Sequence, residues 1–560
     1  MKKLIPVLVA LILIVIIGAA TAGTIVFDKY SYSKEVADLQ EYFGVQGNEM
    51  AIILQDSKIE EKALFVNGIC YFDLDTVHKY FNDTFYVDEK EGLLLYALPT
   101  TVDRYTIADA SLVDAGEKSP VYQKGTKVYI AAELVKKYTN YGYTLYDKRM
   151  QIYTEWGKKR EVTVTKDTQV RVKGGIKSPI LREMVKNESV EILEKMEKWS
   201  KVKTEDAFIG YIENKCLSEE SQVQETPVKD YTEEEYTTKQ LDGKVCLGWH
   251  SIGGVGGNDT LESVLTHTKS MNVIAPTWFS LNDNQGGYES FATADYVARA
   301  HSKGLQVWGV LDDFNYHNVH DTDIDVYEVL SSTTNRTRLI EGIVKEAREV
   351  GLDGINLDFE RITEACGEHY AQFIRELSVA CRIEGLTFSV DNYVPFHYNA
   401  YLRRDVQGKV ADYVIIMGYD EHWHGSGDPG SVASLDYVSN GIDKTMEQVP
   451  KEKIVNALPF YSILWKTQGS TVTDEYLTMN NTEDFLNRIG QEGVWDNETQ
   501  QLYVEWESGG SKYQLWAEDE ESIMIKLNVM KAKDIAGVAV WRLGYGTPAV
   551  WEMISAYVNS

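Results

Sequence analysis

The sequence predicts an α/β protein: a (β/α)8 barrel with an inserted α+β subdomain, preceded by a small α+β domain and a small β-barrel. The chain of 560 residues is too long for one hydrophobic core. Between residues 160 and 215, short runs of alternating apolar and polar side chains are separated by turn residues, as in a small barrel. From residue 244 onward, apolar strand-like runs alternate with helix-like stretches, which is the pattern of parallel βα units.

Charge and cysteine usage exclude several classes of function. The formal net charge is −29, and the sequence pI is about 4.8. A nucleic-acid partner needs a basic surface, so we expect no nucleic-acid binding. The five cysteines are scattered and form no zinc pattern with histidines, so we expect no metal and no cofactor. We expect mostly buried free thiols, although a Cys366–Cys381 pair stays open.

The N-terminal segment, residues 1–28, predicts export. Lys2 and Lys3 precede an uncharged and mainly apolar run over residues 4–27, which is long enough to span a bilayer. We favour an uncleaved signal-anchor, with the N-terminus in the cytoplasm and the bulk outside the cell membrane. Cleavage after the small residues 20–22 is the alternative, and it would release the protein to the cell wall or the medium. Residues 29–58 are polar and predict a stalk.

Residues 59–157 contain a weak internal duplication and predict the small α+β domain. Each copy has a strand, a turn, a second strand, a short helix and further strands, with turns at Asn67-Gly68 and Lys124-Gly125. The segment resembles the N-terminal domain of copper amine oxidases, which recurs as a wall-associated module in exported bacterial proteins. It has no histidine cluster, so the resemblance implies no copper chemistry here. A simple spacer is the alternative.

Residues 160–216 predict the small β-barrel, and residues 217–242 predict an acidic linker. The ending of the barrel, Trp199 followed by Gly210-Tyr211-Ile212, resembles a bacterial SH3-like domain. The resemblance implies binding to the cell wall, and a rigid spacer is the alternative. The linker is rich in Glu, Gln and Thr and lacks apolar periodicity.

The barrel is predicted over residues 243–558. An aromatic-rich insertion at about 462–519 is expected to wall one side of a cleft. The eight predicted strands cover residues 245–249, 273–277, 305–311, 354–359, 386–391, 413–417, 454–458 and 537–541.

The most informative stretch is the fourth predicted strand, which reads Asp353-Gly-Ile-Asn356-Leu-Asp358-Phe-Glu360. Side chains on a strand alternate between its two faces, so Asn356, Asp358 and Glu360 share one face. Burial and like charge should raise at least one of the two carboxyl pKa values, as general acid catalysis requires. Asp353 stands at the entry of the strand, and its role stays open between fixing that entry and binding substrate.

Other candidate residues also fall where a (β/α)8 barrel places its active site. Such sites lie at the carboxyl ends of the strands. Tyr419 and Asp420 follow the sixth predicted strand, and Trp541 ends the eighth. Trp278 follows the second strand, and its role stays open between substrate subsite and core.

These motifs resemble family 18 glycoside hydrolases over roughly residues 243–558. The motif at 353–360, the Met-Gly-Tyr-Asp run at 417–420 and Trp541 carry the resemblance, with segments at 276–279, 458–461 and 540–544 typical of the spore and cell-wall branch. It implies a TIM-barrel enzyme that cleaves β-1,4-linked N-acetylglucosamine with retention and substrate assistance. Glu360 would be the acid, Asp358 would orient the substrate acetamido group, and Tyr419 would bond to its oxygen.

The resemblance also implies substrate binding by Asp353, Asn356, Asp420, Trp541 and Trp278. One departure is Asn356, because many family members have an aspartate there that could share a proton with Asp358. The expected partners are a polysaccharide, the cell wall through the SH3-like domain and the membrane through the N-terminal segment. Peptidoglycan is the favoured substrate and chitin-type oligomers are second. The alternative is a non-hydrolytic glycan-binding or cell-wall morphogenetic protein.

Overall fold

The computed structural model describes residues 5–227, 231–314 and 324–560, with side chains for all of these except 23–27. The described chain forms two compact units: one contains residues up to 85 and 105–233, and the other contains 86–104 and 234–560.

The first helix is long and apolar enough to cross a membrane. Its stretch Ile5–Ala22 has a mean hydropathy of 2.8, and none of it is buried in the protein. A signal sequence has the same properties. The elements up to residue 153 are α1 (Ile5–Tyr30), α2 (Leu39–Phe43), β1 (Glu49–Leu54), β2 (Ser57–Val66), β3 (Ile69–Asp73), α3 (Leu74–Tyr80), β4 (Tyr86–Asp88), β5 (Leu93–Ala97), β6 (Val102–Thr106), β7 (Ala108–Asp109), α4 (Ala110–Asp114), β8 (Val121–Lys124), β9 (Lys127–Ala131), α5 (Ala132–Tyr138), β10 (Gly142–Tyr146) and β11 (Arg149–Tyr153).

The α+β part of the first unit has one mixed sheet, in the order β10-β11-β1-β2-β3-β9-β8-β7. The duplicated pattern appears as β2-β3-α3 and β8-β9-α5. The stalk expected at 29–58 is wrong, because β1 is an inner strand of this sheet and Ala51, Ile52 and Ile53 are at most 1% exposed. The short apolar run at 50–54 is a buried strand hidden in polar surroundings.

The β-rich part of the first unit is a seven-stranded antiparallel sheet, in the order β14-β13-β17-β16-β15-β12-β18. Ser221–Gln224 pairs with β12, so the first part of the expected linker is a strand. The strands are β12 (Lys158–Thr163), β13 (Thr168–Arg171), β14 (Ile180–Met184), β15 (Ser189–Lys195), β16 (Trp199–Thr204), β17 (Ile209–Glu213) and β18 (Ser221–Gln224).

The barrel strands of the second unit are β19 (Val245–His250), β20 (Val273–Leu281), β22 (Gln306–Asp312), β23 (Gly354–Asp358), β24 (Thr387–Tyr393), β25 (Tyr413–Met417), β26 (Ile454–Pro459) and β32 (Gly537–Trp541). Among the described residues, these eight parallel strands form a closed barrel in the order β19-β32-β26-β25-β24-β23-β22-β20, with β20 paired back to β19. This confirms the predicted fold class. The other elements up to residue 417 are α6 (Leu261–Val264), β21 (Tyr288–Ser290), α7 (Ala294–Ser302), α8 (Val326–Leu330), α9 (Thr333–Val350), α10 (Gly367–Glu384) and α11 (Arg404–Val410).

The insertion lies between β26 and the helix before the last barrel strand. It is an antiparallel sheet in the order β28-β27-β31-β30-β29 with one helix, α13. The remaining elements are α12 (Leu435–Met446), β26 (Ile454–Pro459), β27 (Tyr461–Gln468), β28 (Thr471–Thr478), α13 (Met479–Ile489), β29 (Val494–Asp496), β30 (Gln501–Ser508), β31 (Ser511–Ala517), α14 (Glu520–Lys533), β32 (Gly537–Trp541) and α15 (Pro548–Val558). Short 3₁₀ helices cover Asn214–Cys216, Val255–Thr260, Glu364–Cys366, His397–Leu402 and Lys451–Lys453.

Residues 86–104 belong to the barrel unit, although the sequence places them inside the domain at 59–157. The Asp88 carboxylate accepts from the Thr333 backbone N–H at 2.6 Å, at the start of α9. Arg336 is fully buried, donates to the Tyr86 hydroxyl at 3.2 Å and pairs with Glu376 at 3.0 Å. The segment 86–104, which contains β4, β5 and the start of β6, is therefore part of the barrel's outer packing. The five cysteines, Cys366 and Cys381 among them, are buried and free.

Candidate active site

A pocket opens at the carboxyl ends of the barrel strands. Asp358 ends β23, Tyr393 ends β24, Met417 ends β25 and Trp541 ends β32. This is where the fold places catalytic groups. The pocket is lined by Trp249, Phe314, Asp358, Glu360, Asp391, Tyr393, Met417, Tyr419, Asp420, Tyr461, Tyr476, Trp541, Arg542 and Tyr545.

Strand register aligns three carboxyl groups in a row across the barrel. Asp312 on β22 pairs directly with Asp358 on β23. Leu357 pairs with Val390 on β24, so Asp391 stands beside Asp358 on the other side. Neighbouring strands are about 4.8 Å apart, and these side chains therefore meet inside the barrel.

Burial sets the charge state of this row. It raises the pKa of Asp312 to about 7, although a hydrogen bond from the Ser280 hydroxyl opposes the shift. Burial also raises the pKa of Asp358 and of Asp391 well above the ordinary range of an aspartate, and like charge from Glu360 adds to both shifts. The row can therefore retain protons at neutral pH.

Glu360 follows β23 by two residues and is held at both its backbone and its side chain. The Asp313 carboxylate accepts from the backbone N–H groups of Glu360, at 2.8 Å, and Arg361, at 3.0 Å. The Tyr393 hydroxyl donates to Glu360 Oε2. Burial raises the pKa of Glu360, and the bond from Tyr393 opposes this. A carboxyl with a raised pKa at the mouth of a pocket is suited to donate a proton.

Tyr419 and Asp420 follow β25 and face the same pocket. The Tyr461 hydroxyl donates to Asp420 Oδ1 at 2.5 Å. The Tyr419 and Tyr461 rings meet edge to face, with centroids 6.3 Å apart. Burial raises the pKa of the Tyr419 hydroxyl well above its usual value, so this hydroxyl stays a hydrogen-bond donor. Asp420 has a φ of 60°, a left-handed conformation that aspartate tolerates better than most residues.

Trp541 and Trp249 form the aromatic base of the pocket. Their ring centroids lie 6.1 Å apart in an edge-to-face arrangement. The peptide bond that joins Trp541 to Arg542 is cis. The Trp249 indole N–H donates to Asn356 Oδ1 at 2.9 Å, which ties the base to the fully buried Asn356 beneath it. Trp249 is buried, whereas Trp541 is only partly buried and lines the pocket, so the face of the Trp541 ring can stack on a sugar ring.

The comparisons with known proteins agree with this geometry. Residues 281–546 match the family model of glycosyl hydrolases family 18, and residues 166–218 match that of the bacterial SH3 domain. The barrel is a family 18 glycosyl hydrolase domain. A bacterial SH3 domain precedes this barrel in the chain.

Relatives of the family 18 domain include bacterial glycosylases. The uncharacterized glycosylase YvbX of Bacillus subtilis is 25% identical over 53% of this chain and 88% of its own length. The cortical fragment-lytic enzyme of the same organism is 26% identical over 41% of this chain and 56% of its own length. The match covers only about half of the length of this enzyme and of three other curated bacterial relatives.

Solved structures show the same fold. The chitinase from Chromobacterium violaceum ATCC 12472 has a TM-score of 0.50 and 23% identity, over 57% of this chain and 99% of that one. The Bacillus cereus spore cortex-lytic enzyme SleL has a TM-score of 0.50 and 20% identity, over 60% of this chain and 76% of that one.

Two sequence-predicted substrate-binding residues of the family 18 domain lie elsewhere. Asp353 is at the opposite, amino end of β23, where its carboxylate accepts from the Val307 N–H and pairs with His301 at 2.8 Å. Trp278 is 1% exposed and donates its indole N–H to Asn258 Oδ1 at 2.8 Å. Neither residue lines the pocket: of the roles that the sequence left open, the structure places Asp353 at a strand entry and Trp278 in the core.

The other predicted residues come together, except that Asn356 lies below the pocket rather than at its surface. Asp358, Glu360, Tyr419, Asp420 and Trp541 all line the pocket. Asn356 donates to Ser389 Oγ at 3.0 Å and to Asp391 Oδ1 at 2.7 Å. Its side chain thus supports the pocket from within the barrel.

Sequence reasoning missed Asp313, Asp391, Tyr393 and Tyr461. Asp391 ends the fifth predicted strand, so the rule on strand ends alone was enough to flag it. Tyr393 and Asp313 also follow strand ends, but their roles depend on contacts with Glu360, which no local pattern shows. Among the residues that the structure describes, no group of three or more His, Cys, Asp and Glu is arranged to hold a metal ion.

Proposed function

We propose that this protein is an exported, membrane-anchored enzyme that cleaves β-1,4-linked N-acetylglucosamine polymers with retention of configuration. The observation that carries the proposal is the meeting of Glu360, Asp358 and Tyr419 in one pocket. These groups supply an acid, a carboxylate and a hydroxyl donor. Together they fit a reaction in which the substrate's own acetamido group is the nucleophile.

In the first step, Glu360 gives its proton to the glycosidic oxygen as the bond to the anomeric carbon breaks. The acetamido carbonyl oxygen of the same sugar attacks that carbon and forms a cyclic oxazolinium ion. Asp358 accepts a hydrogen bond from the acetamido N–H and balances the positive charge. The Tyr419 hydroxyl donates to the acetamido oxygen and orients it for attack.

In the second step, the Glu360 carboxylate takes a proton from a water molecule, and the water oxygen attacks the anomeric carbon. The oxazolinium ring opens, and the product keeps the β configuration because two inversions have occurred. Tyr393 supports the charged form of Glu360 between the steps, since its hydroxyl donates to that carboxylate. Asp420 binds the distorted sugar, and Trp541 stacks beneath it.

Peptidoglycan is the favoured substrate, and chitin-type oligomers are second. Three observations support this order. The matched SH3 domain belongs to a bacterial type that suits attachment to the wall. The helix α1 is long enough to hold the protein at a membrane. The relatives include enzymes named for lysis of cortical fragments.

The decisive experiment compares wild type and Glu360→Gln on purified sacculi and on N-acetylglucosamine oligomers, with products identified by mass spectrometry. We expect wild type to release fragments with new N-acetylglucosamine reducing ends, and the variant to lose at least about 100-fold in rate. Glu364→Gln is the matched control, because Glu364 is exposed and lies four residues along the chain.

Two outcomes would contradict the proposal. Undiminished hydrolysis by Glu360→Gln would show that Glu360 is not the general acid. An α-anomer as the first product formed would exclude retention of configuration. Binding of wild-type protein to sacculi without any new reducing ends would favour the alternative, a non-hydrolytic wall protein.

A further inference from the structure

Asp391 is a buried carboxyl group at the pocket that the steps above do not use. It is 3% exposed and lines the same pocket as Asp358. Its Oδ1 accepts from the Asn356 amide at 2.7 Å, whereas its Oδ2 is buried without a hydrogen-bond partner. A buried oxygen without a partner is costly, so this atom needs an explanation.

Asp358 also has a carboxyl oxygen without a hydrogen-bond donor. Its Oδ1 is also buried without a hydrogen-bond partner. Register places the two side chains at the same level on neighbouring strands, which lie about 4.8 Å apart. Two ionised carboxylates so close would repel each other strongly in a buried site. A single proton between the two oxygens satisfies both and removes the repulsion.

We propose that Asp391 is a positioning residue that holds a proton for Asp358, the task that the resemblance assigns to an aspartate at position 356. This inference rests on the proposed function, because it assigns Asp358 to the substrate acetamido group. The O–H of Asp391 donates to Asp358 Oδ1, and no covalent bond changes. The pair carries one negative charge throughout, located on Asp358.

Asn356 determines which oxygen of Asp391 is left to carry the proton. The Trp249 indole N–H occupies Asn356 Oδ1, so the Asn356 amide can offer only N–H donors to its other neighbours. One of these donors reaches Asp391 Oδ1 and leaves Oδ2 as the oxygen that carries hydrogen. The carboxylate of Asp358, which is the more exposed of the two, then faces the substrate.

The surroundings of Asp391 favour its neutral form. Burial is the largest cause of its raised pKa, and the Glu360 charge adds to it. The Asn356 donor acts in the opposite direction but is outweighed. The titratable groups that interact with Asp391 from the neighbouring elements are Asp358, Glu360, Tyr370 and Tyr419.

The test compares the acidic limb of the kcat/KM profile in Asp391→Ala and Asp391→Asn, made in the full-length protein. In Asp391→Ala, the ionised form of Asp358 loses its donor, so we expect the limb to move to higher pH and kcat to fall about 10- to 100-fold with little change in KM. In Asp391→Asn, the amide N–H replaces the O–H, and the limb should stay near its wild-type position.

The opposite charge assignment makes the opposite prediction. If Asp391 were ionised, both substitutions would remove a like charge, and the acidic limb would move to lower pH in both. That result would overturn the inference, as would equal losses at every pH in Asp391→Ala. Asp412→Asn is the matched control, because Asp412 is also buried but bonds to the Lys239 and Phe388 backbone N–H groups outside the pocket.

A second readout needs no substrate. Infrared spectra at neutral pH should contain one protonated-carboxyl band in wild type that Asp391→Asn lacks. An unchanged band count would overturn the proton sharing even if hydrolysis is normal. Loss of the band in Asp391→Asn, combined with a wild-type protein that cleaves no glycan, would instead support the shared proton and contradict the proposed function.

Discussion

Asp313 is expected to make the folded protein less stable as the pH rises, and Asp313→Asn should remove this effect. Asp313 is 1% exposed and accepts from the backbone N–H groups of Glu360 and Arg361. Burial raises its pKa from 3.8 to about 8, although those two N–H donors act in the opposite direction. Asp313 Oδ1 alone lies within reach of both N–H groups, at 2.8 and 3.2 Å, so the amide oxygen of an asparagine can accept both hydrogen bonds, and asparagine cannot ionise.

The magnitude follows from the two pKa values. Below pH 3.8 the side chain is protonated in both the folded and the unfolded state, so it contributes nothing to the pH dependence. Between 3.8 and about 8 the folded protein binds one proton more than the unfolded chain, and the free energy of unfolding falls by about 1.4 kcal/mol per pH unit. At neutral pH the accumulated loss is on the order of 4 kcal/mol.

The assay is urea unfolding of wild type and Asp313→Asn at several pH values, followed by tryptophan fluorescence. The difference in unfolding free energy should be near zero at low pH and should grow in favour of Asp313→Asn up to about pH 8. A difference that does not change with pH would refute the reasoning, because it would mean that Asp313 is ionised in the folded protein. Asp313→Ala should be less stable than Asp313→Asn at every pH, since it leaves two buried N–H groups unpaired at about 1–3 kcal/mol each.

Three further predictions concern the pocket and the outer packing. Tyr393→Phe should move the alkaline limb of the kcat/KM profile to higher pH. In wild type the Tyr393 hydroxyl lowers the pKa of Glu360, so its removal should raise that pKa; an unmoved limb would show that the bond is absent in solution. Trp541→Ala should raise KM for an N-acetylglucosamine oligomer about tenfold through lost stacking, whereas an unchanged KM would remove Trp541 from the subsite. Arg336→Met should destabilise the barrel by about 3–5 kcal/mol in urea unfolding, because Glu376 keeps a buried charge without its partner; the double variant with Glu376→Leu should recover most of the loss.

The candidate site was predictable where chemistry and chain position coincide. Asp358 and Glu360 alternate with apolar residues on a buried strand, so their common face follows from the period of two. Tyr419, Asp420 and Trp541 follow other strands, and the barrel topology alone brings strand ends together. Each of these residues therefore reached the pocket without knowledge of side-chain contacts.

The errors arose where local pattern says nothing about the third dimension. Asp353 has the residue type of a site but stands at the amino end of β23, far from the carboxyl ends that form the pocket. Trp278 follows the pattern of a subsite tryptophan, but its indole N–H finds a buried partner in Asn258. The segment 86–104 is contiguous in sequence with the small α+β domain, but it belongs to the same compact unit as the barrel.

The sequence by itself determined the barrel and the common face of Asp358 and Glu360, because periodicity and strand-end position are properties of a linear chain. The tertiary structure alone decided how the charges are shared. Register across β22, β23 and β24 sets Asp312, Asp358 and Asp391 side by side. Asn356 has no titratable group itself, but its amide donates to Asp391 on the next strand and orients that carboxyl group. The location of a proton depends on the distances between strands and on burial, and neither quantity can be read from the order of residues in the chain.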